Sequence, residues 1–431
     1  MVNLNWIKNL KPPIAVIGLG KSGSSALKLL TAVGFTNTEL ITFDEKSDAA
    51  DVTNTDTLLS RKPKTLVVSP GVPLSSPWIK TLIQQGCFLT SEISLAASLV
   101  TSEKLIGVTG SVGKSTVVSL LGSALQQEDP NHFLGGNLGT PFCEYALRLL
   151  SGGPVANWIV LELSSYQLEN CQGLNLDFSA ITFLSENHLE RYESVNHYYA
   201  AKLSITARTN NTCVFNSSSP DCVVFSKQAK CSSVLTSAVT DLADNDRSKI
   251  CLIGPHNHDN FAVAAKLAKL ASWTSLSFEK MYSFAGLPHR LENIGVFDGI
   301  HFINDSKATA LDSVLVASNG CLKEIESGSK LIILIGGKDK NLPWAQLSVL
   351  KDEPQIQLIF FGACASLVKT VLKSDGPVFS NLKDAVNRSF ANANSGDIVL
   401  LSPGGTSLDE FKNFEQRGDF FKNMVLDHFT R

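Results

Sequence analysis

Short apolar runs that end in glycine recur along the chain and alternate with segments of helical period. The clearest are IAVIGLG (14–20), LVVSPG (66–71), LIGVTG (105–110), LIILIGG (331–337), LIFFGA (358–363) and IVLLSPGG (398–405). These runs are apolar at consecutive positions, so the strands they predict have both faces covered. A doubly covered strand, a glycine turn and a helix form the repeating unit of a parallel α/β sheet. The pattern therefore predicts α/β architecture, with no fixed-period repeat, heptad array or low-complexity tract. Boundaries are expected near 94, before the strand of the second glycine loop, and near 286, where Ala285-Gly286-Leu287-Pro288 interrupts any continuing element. The expected domains are 1–94, 95–286 and 287–431.

Length agrees with that division: at roughly 150 residues per domain, 431 residues make about three. Hydrophobic residues at 44% and charged residues at 18% exclude a disordered chain. A formal charge of -3 and a pI near 6.3 argue against a nucleic-acid or membrane-surface binder. Nine cysteines without a CxxC pair argue against a disulfide framework or a cysteine zinc site, and favour a reducing compartment. The run Ile14–Ile17 follows Pro12-Pro13 and leads into glycines, so it reads as a strand and not as a signal peptide. Runs such as Leu331–Ile335 are too short to cross a bilayer. A cytoplasmic protein is expected, with no membrane insertion and no nucleic-acid partner.

Two glycine loops carry the candidate chemistry. Gly18-Leu19-Gly20-Lys21-Ser22-Gly23 matches G-x-G-x-x-G between a strand and a helical pattern, and Asp44 ends the next strand about 20 residues on. This is a shared signal for phosphate or nucleotide contact, the alternative being glycines needed for packing only. The second loop is Gly110-Ser111-Val112-Gly113-Lys114-Ser115-Thr116, again between a strand and a helix. It offers backbone N–H groups to cradle phosphates, a lysine for the terminal phosphates and a hydroxyl for Mg2+. Val108 stands at the first glycine position of the strict motif, yet the placement strongly favours ATP with Mg2+.

With these loops, several later segments resemble one family, the Mur ligases, the ATP-dependent amino-acid-adding enzymes of peptidoglycan precursor synthesis. The resemblance is carried by TG-x-x-GKST at 109–116, GGN-x-G at 135–139, LELSS-x-QL at 161–168 and NH-x-x-RY at 187–192. It continues through AAKL at 200–203, LPHR-x-E at 287–292, NDSKAT at 304–309, GGKDK at 336–340 and SLDEFKNFEQRG at 407–418. The matches run in family order over nearly the whole chain, and NDSKAT with SLDEFKNFEQRG points to the D-glutamate-adding branch. Departures are Val112 and Ala310, where asparagine is usual, and Gly404-Gly405-Thr406 in place of a small Ala/Cys run.

The resemblance implies three domains: a Rossmann-like N-terminal domain for the UDP substrate, a P-loop ATPase-like central domain with a parallel sheet, and a Rossmann-like C-terminal domain for the amino acid. It implies ATP contacts at Gly110, Ser111, Val112, Gly113, Lys114, Ser115, Thr116 and Val117, with Asn257 and Asn260 near the adenine and ribose. Arg290 is implied at the γ-phosphate and Asp305 at the nucleotide, a structural ion pair between the two being the alternative. Ser115, Glu162, His188 and Lys202 are the implied Mg2+ ligands, two ions being expected, and Lys202 is implied to be carbamylated. The alternative for Glu162 is an edge carboxylate in a salt bridge, the metal being favoured; from the residues alone, His188 reads as structural and Lys202 as a solvated surface lysine. Lys114, Glu162, His188 and Lys202 are thus the implied catalytic group. The UDP substrate is implied to meet Lys21, Ser22, Asp44, Glu45, Lys46, Ser69, Asn137 and Ser164. D-Glutamate is implied to meet Lys307, Thr309, Lys340, Ser407, Leu408 and Phe414.

The expected reaction joins D-glutamate to UDP-N-acetylmuramoyl-L-alanine through an acyl phosphate, in a monomer. Alternatives are another Mur-type or folylpolyglutamate-type ligase with a different acceptor, an NAD-dependent dehydrogenase built on residues 1–94, and a non-catalytic ATP switch. His256 and His258 in GPHNHDN lack partners at metal-ligand spacing.

Overall fold

A computed structural model describes residues 4–186, 191–326 and 328–430. Three sheets account for the strands. The first orders β1 (Ile14–Ile17), β2 (Leu40–Phe43), β3 (Thr65–Val68) and β4 (Phe88–Thr90) as β2-β1-β3-β4. The second holds β5 (Lys104–Thr109), β6 (Phe133–Gly136), β7 (Trp158–Glu162), β8 (Leu176–Ile181), β9 (Thr209–Asn216) and β10 (Ser232–Thr236), in the order β10-β9-β8-β5-β7-β6. Both sheets are parallel throughout.

The third sheet holds β11 (Glu292–Phe297), β12 (Ile300–Asn304), β13 (Leu331–Gly336), β14 (Ile356–Phe361), β15 (Val378–Phe379) and β16 (Ile398–Gly404), ordered β11-β12-β16-β13-β14-β15. The apolar runs in this sheet pair in parallel, as the sequence pattern predicts, and β11 adds an antiparallel edge beside β12. The cause is local: Asp298 and Gly299 join the two strands, both at positive φ (50° and 78°), as a tight hairpin turn requires.

Strand alternation explains why the apolar runs are continuous. In β1, Ile14 and Val16 face one core while Ala15 and Ile17 face another. In β13, Leu331, Ile333 and Ile335 face one side, Ile332 and Leu334 the other. Each of these strands is buried on both faces, as the sequence pattern predicts.

The chain forms two compact units: residues up to Ala243 with Asp259–Met281, and Asp244–His258 with Tyr282 onward. The first unit contains the first two sheets and one continuous core joining them. Ser25 on the helix Lys21–Val33 donates to Glu144 on the helix Phe142–Leu150 at 3.0 Å, a polar tie across that junction. The second unit contains the third sheet.

The first sheet has four strands, one mononucleotide-binding half; a dinucleotide fold pairs two such halves. Its glycine loop is set by close packing. A Cβ built on Gly23 would lie 1.8 Å from the Gly18 carbonyl oxygen, so the helix sits on the turn at glycine distance. Gly23→Ala is therefore expected to lower stability by about 1–3 kcal/mol through overpacking. An unchanged urea midpoint for this variant would show that the helix yields freely.

Candidate active site

The second sheet brings its motifs to one edge. β5 and β7 are neighbours with Val108 opposite Glu162, and β6 places Gly136 opposite Glu162 on the other side. The C-terminal ends of these strands thus carry the phosphate loop, the carboxylate and Asn137 together, where open α/β sheets bind ligands.

The loop's shape depends on its glycines and on Thr182. Gly110 has φ +149°, and an added Cβ would fall 2.1 Å from the Thr182 hydroxyl. That hydroxyl donates to the Thr109 and Val112 carbonyls. Val112 is therefore held by its backbone, while its side chain is 55% exposed, so the departure from asparagine leaves the loop scaffold intact. Gly113 has φ +86° and Asn260 beneath it, with Oδ1 2.2 Å from where a Cβ would stand. Ser111 is fixed by donating from its hydroxyl to the Ser185 carbonyl at 2.8 Å. The helix Lys114–Glu128 follows, with Ser115 and Thr116 partly exposed in its first turn and Val117 buried.

Lys114 Nζ donates to the carbonyls of Gly110 at 2.8 Å and Ser111 at 3.2 Å. Lys202, on the helix Val195–Leu203, is 2% exposed and donates to the same Gly110 carbonyl at 2.8 Å. Burial first, and then repulsion from Lys114, push its amine down to about pKa 6, against the attraction of Glu162. The alternative of a solvated surface lysine does not hold, because this helix turns Lys202 inward onto the Tyr198 ring, 4.5 Å away.

Glu162 is buried at the end of β7. Its carboxylate accepts from Ser115 Oγ at 2.8 Å and Asn137 Nδ2 at 2.7 Å. Two neutral donors orient a buried anion here, and no salt bridge of Glu162 occurs among the described residues, so the edge salt-bridge reading is set aside. This donor set fits a cation: an oriented carboxylate, a hydroxyl and an amine poised to be neutral converge on the phosphate loop. His188 lies outside the described residues. Among the described residues no group of three or more His, Cys, Asp or Glu side chains is arranged to hold a metal, His256 and His258 included.

In the first sheet, Lys21 is exposed and Ser22 half-buried at the start of their helix. Ser69 Oγ donates to the Gly18 carbonyl at 2.7 Å and buttresses the turn. Asp44 accepts from the Leu19 N–H at 2.8 Å and the Lys46 N–H at 2.9 Å, which hold its pKa below the ordinary value. Its carboxylate thus shapes the loop from within, while Glu45 and Lys46 are exposed beside it. Ser164 caps the short helix Ser165–Leu168 in a reciprocal box with Gln167.

In the second unit, the loops after β12, β16 and β13, three adjacent strands, converge. The Gly404 N–H donates to the Ala308 carbonyl and the Lys338 N–H to the Thr406 carbonyl, at 2.9 and 2.8 Å. Lys307 lies over the Phe414 ring at 3.8 Å, and burial followed by repulsion from Arg290 lowers its pKa. Ser407 is buried, Thr309 partly so, and Lys340 and Leu408 are exposed around them. The sequence reading missed Arg417, which is fully buried and organises this region. It donates to Ser306 Oγ at 3.0 Å, the Ser306 carbonyl at 2.9 Å and the Gly405 carbonyl at 3.2 Å. Its signal was present in SLDEFKNFEQRG but was indistinguishable from a surface helix arginine.

Asn257 is buried, with its side-chain amide on the Ile253 carbonyl at 2.8 Å. Arg290 is exposed, flanked by His289 and Leu291 at positive φ (62° and 45°), a strained turn of the kind that functional sites retain. Asp305 accepts from Ser402 Oγ at 3.0 Å and the Leu291 N–H at 3.2 Å. No contact within 4 Å pairs it with Arg290 among the described residues, so the structural ion-pair alternative does not hold. Burial raises the Asp305 carboxyl to about pKa 7, against the pull of Ser402, the Leu291 N–H and Arg290.

Residues 108–263 match the Mur ligase middle domain. A UDP-N-acetylmuramoylalanine–D-glutamate ligase of Myxococcus xanthus is 34% identical, the alignment covering 96% of this chain and 97% of that protein. The enzyme of the same name from Koribacter versatilis is 31% identical, covering 96% of each. Among solved structures, a MurF ligase of Thermotoga maritima in complex with ADP is similar with TM-score 0.59 at 14% identity, covering 99% and 98% of the two chains. The UDP-N-acetylmuramate–alanine ligase of the same organism is similar with TM-score 0.56 at 14% identity, covering 96% and 99%. At that identity these structures speak for the fold alone.

The raised Asp305 carboxyl has a definite consequence for stability. The folded state holds this proton more tightly than the unfolded state, so the contribution is present below pH 4 and is lost as pH rises to about 7. Asp305→Asn removes that slope. Its urea midpoint should gain on the parent's between pH 4 and 7, and parallel curves would refute the assignment. Near-full-length identity above 30%, the phosphate loop with its oriented carboxylate and the three-sheet architecture lead to one conclusion: the chain belongs to the Mur ligase family.

Proposed function

We infer that the protein is an ATP-dependent ligase joining D-glutamate to the carboxyl end of UDP-N-acetylmuramoyl-L-alanine, in peptidoglycan precursor synthesis. The observation that carries the acceptor assignment is the extent of similarity to D-glutamate ligases, 96% of the chain at 34% identity. A carboxylate oxygen of the UDP substrate attacks the γ-phosphorus of ATP, ADP leaves, and an acyl phosphate forms. The D-glutamate amine then attacks the acyl carbon, phosphate departs, and the amine's lost proton passes to solvent.

Lys114, with the N–H groups of Gly110–Thr116, grips the phosphates; positioning and charge neutralisation supply most of the catalysis in such transfers. Asn260 supports the loop from below Gly113, and Asn257, Arg290 and Asp305 are proposed as nucleotide contacts. Ser115, Glu162, Lys202 once carbamylated, and His188 would hold Mg2+, as two ions. Bound there, Mg2+ supplies the positive charge that phosphoryl transfer needs. Carbamylation has a physical basis, since only a neutral amine adds to CO2, losing a proton to give an anionic carbamate. An amine with pKa about 6 is largely neutral at pH 7.

Gly18–Gly23, Lys21, Ser22 and the Asp44–Lys46 turn receive the UDP portion, with Ser69, Asn137 and Ser164 along its path. Lys307, Thr309, Lys340, Ser407, Leu408 and Phe414 receive D-glutamate, whose two carboxylates call for cations and N–H donors. The domains follow ligand: 1–94 for UDP, 95–286 for ATP, 287–431 for the amino acid. We propose that the protein works in the cytoplasm, for which its nine free thiols give support, and as a monomer. No described helix is long and apolar enough to cross a membrane.

ADP release measured across an amino-acid panel, with the UDP substrate present, tests the acceptor: D-glutamate should stimulate it, and stimulation by another amino acid alone would replace the assignment. Lys114→Ala should abolish acyl-phosphate formation and spare UDP-substrate binding; normal turnover would defeat the ATP role. Lys202→Ala should lose activity and regain it with added short-chain carboxylic acids, which place a carboxylate where the carbamate stood. No rescue, with an unmodified lysine by mass spectrometry in the parent, would count against carbamylation.

A further inference from the structure

We propose that Arg191 is a positioning residue that sets the span between the UDP-diphosphate loop and the phosphoryl-transfer centre. The proposal rests on the reading above, in which Gly18–Gly23 takes the diphosphate and Lys114, Glu162 and Lys202 surround the reacting carboxylate.

Arg191 precedes the helix Val195–Leu203 and ties three segments of the first unit together. Its Nη1 donates to the Pro70 carbonyl at 2.7 Å, and its Nη2 reaches the Val72 carbonyl at 3.5 Å. The same Nη2 meets Glu169 Oε2 at 3.4 Å, and the guanidinium lies over the Tyr166 ring, 3.7 Å from its centroid. The side chain is 11% exposed.

Both ends of this brace reach functional groups. On one side, Pro70 and Val72 belong to the loop whose Ser69 hydroxyl holds the Gly18 carbonyl. Val72 itself stands 3.2 Å from where a Gly18 Cβ would be, so moving this loop moves the glycine turn. On the other side, Tyr166 lies in the short helix that follows Glu162. Tyr166 stacks on Tyr192 at 6.0 Å, Tyr192 packs on Tyr198 at 5.3 Å, and Tyr198 lies beneath Lys202 at 4.5 Å. Between the two sides remains a cavity of about 10 Å³, lined by Ser69, Pro70, Val72, Tyr166, Asn170 and Arg191 among others.

Only an arginine satisfies these partners at once. Two carbonyls, a carboxylate and an aromatic face require a planar fork of donors that also stacks, which an ammonium cannot reproduce. The substrate makes the span consequential, because its diphosphate and its reacting carboxylate are at opposite ends of one molecule. A brace that lets the diphosphate loop drift displaces the carboxylate from the phosphoryl donor, although each end still binds.

The test uses the full chain and the variants Arg191→Met and Arg191→Lys. Steady-state kcat and KM are measured for the UDP substrate, ATP and D-glutamate, with calorimetric binding of UDP alone and thermal unfolding. UDP affinity and the KM for ATP should match the parent, while kcat falls roughly 10- to 100-fold, as small misplacements of reacting groups do. Arg191→Lys, which keeps the charge and loses the fork, should fall with Arg191→Met. Parental kcat in both variants overturns the proposal, and so does a fall of Tm and UDP affinity together with a rise in the KM for ATP, the signature of a structural tie alone. Should neither variant fold, Glu169→Gln carries the same test, with reduced kcat at unchanged UDP affinity supporting it and parental kinetics overturning it. Failure of the underlying reading shows separately: a parent chain without turnover on UDP-N-acetylmuramoyl-L-alanine and D-glutamate removes both.

Discussion

One carbonyl oxygen organises the centre of this protein. Gly110 accepts hydrogen bonds from both Lys114 and Lys202, each at 2.8 Å. Two ammonium groups sharing one neutral acceptor in a buried site repel each other, and desolvation penalises the deeper one more. Lys202 is the deeper, so it gives up its charge while the half-exposed Lys114 keeps the task of meeting phosphate. The arrangement depends on Gly110 at φ +149° against Thr182, since any side chain there would separate the loop from its support. Loop shape, lysine ionisation and the nearby Glu162 carboxylate are therefore one coupled feature.

The second unit solves the opposite problem with Arg417. A fully buried guanidinium keeps its charge: burial lowers its pKa only to about 10, because Asp409 and Glu410 oppose that shift. Its donors are satisfied by Ser306 and Gly405, which belong to loops about 100 residues apart in sequence. Leaving such a charge without partners is costly, so these loops are held at fixed separation wherever Arg417 is in place. Lys307, next to Ser306, and Ser407, just beyond Gly405 and Thr406, inherit that separation.

What was legible in the sequence follows from what is local. The phosphate loop could be read because strand, glycine turn and GKST helix are consecutive, and Glu162 because an acid ending an apolar strand stands out. Lys202 could not be read from AAKL, since only tertiary packing against Tyr198 and Gly110 makes it buried. Asp44 was legible as a loop-edge acid, but its occupation by the Leu19 N–H depends on a contact across 25 residues. The hairpin at Asp298-Gly299 was local and readable, and the run of parallel-sheet signals masked it. Arg417 looked like any helix arginine, because its partners come from two distant loops.

The near-neutral composition and the anionic chemistry are reconciled by where charge is placed. A formal charge of -3 cannot attract polyanions at long range, and it does not need to. The glycine loops offer N–H groups and helix N-termini, which favour phosphate without adding net charge. The cations that do face the sites are few and partly desolvated, as the lowered pKa of Lys307 over Phe414 records. In a poorly hydrated pocket a single cation acts on a carboxylate more strongly than several do in water. The same desolvation that drives Lys202 toward neutrality thus sharpens Lys307, and depth of burial decides which outcome each lysine meets.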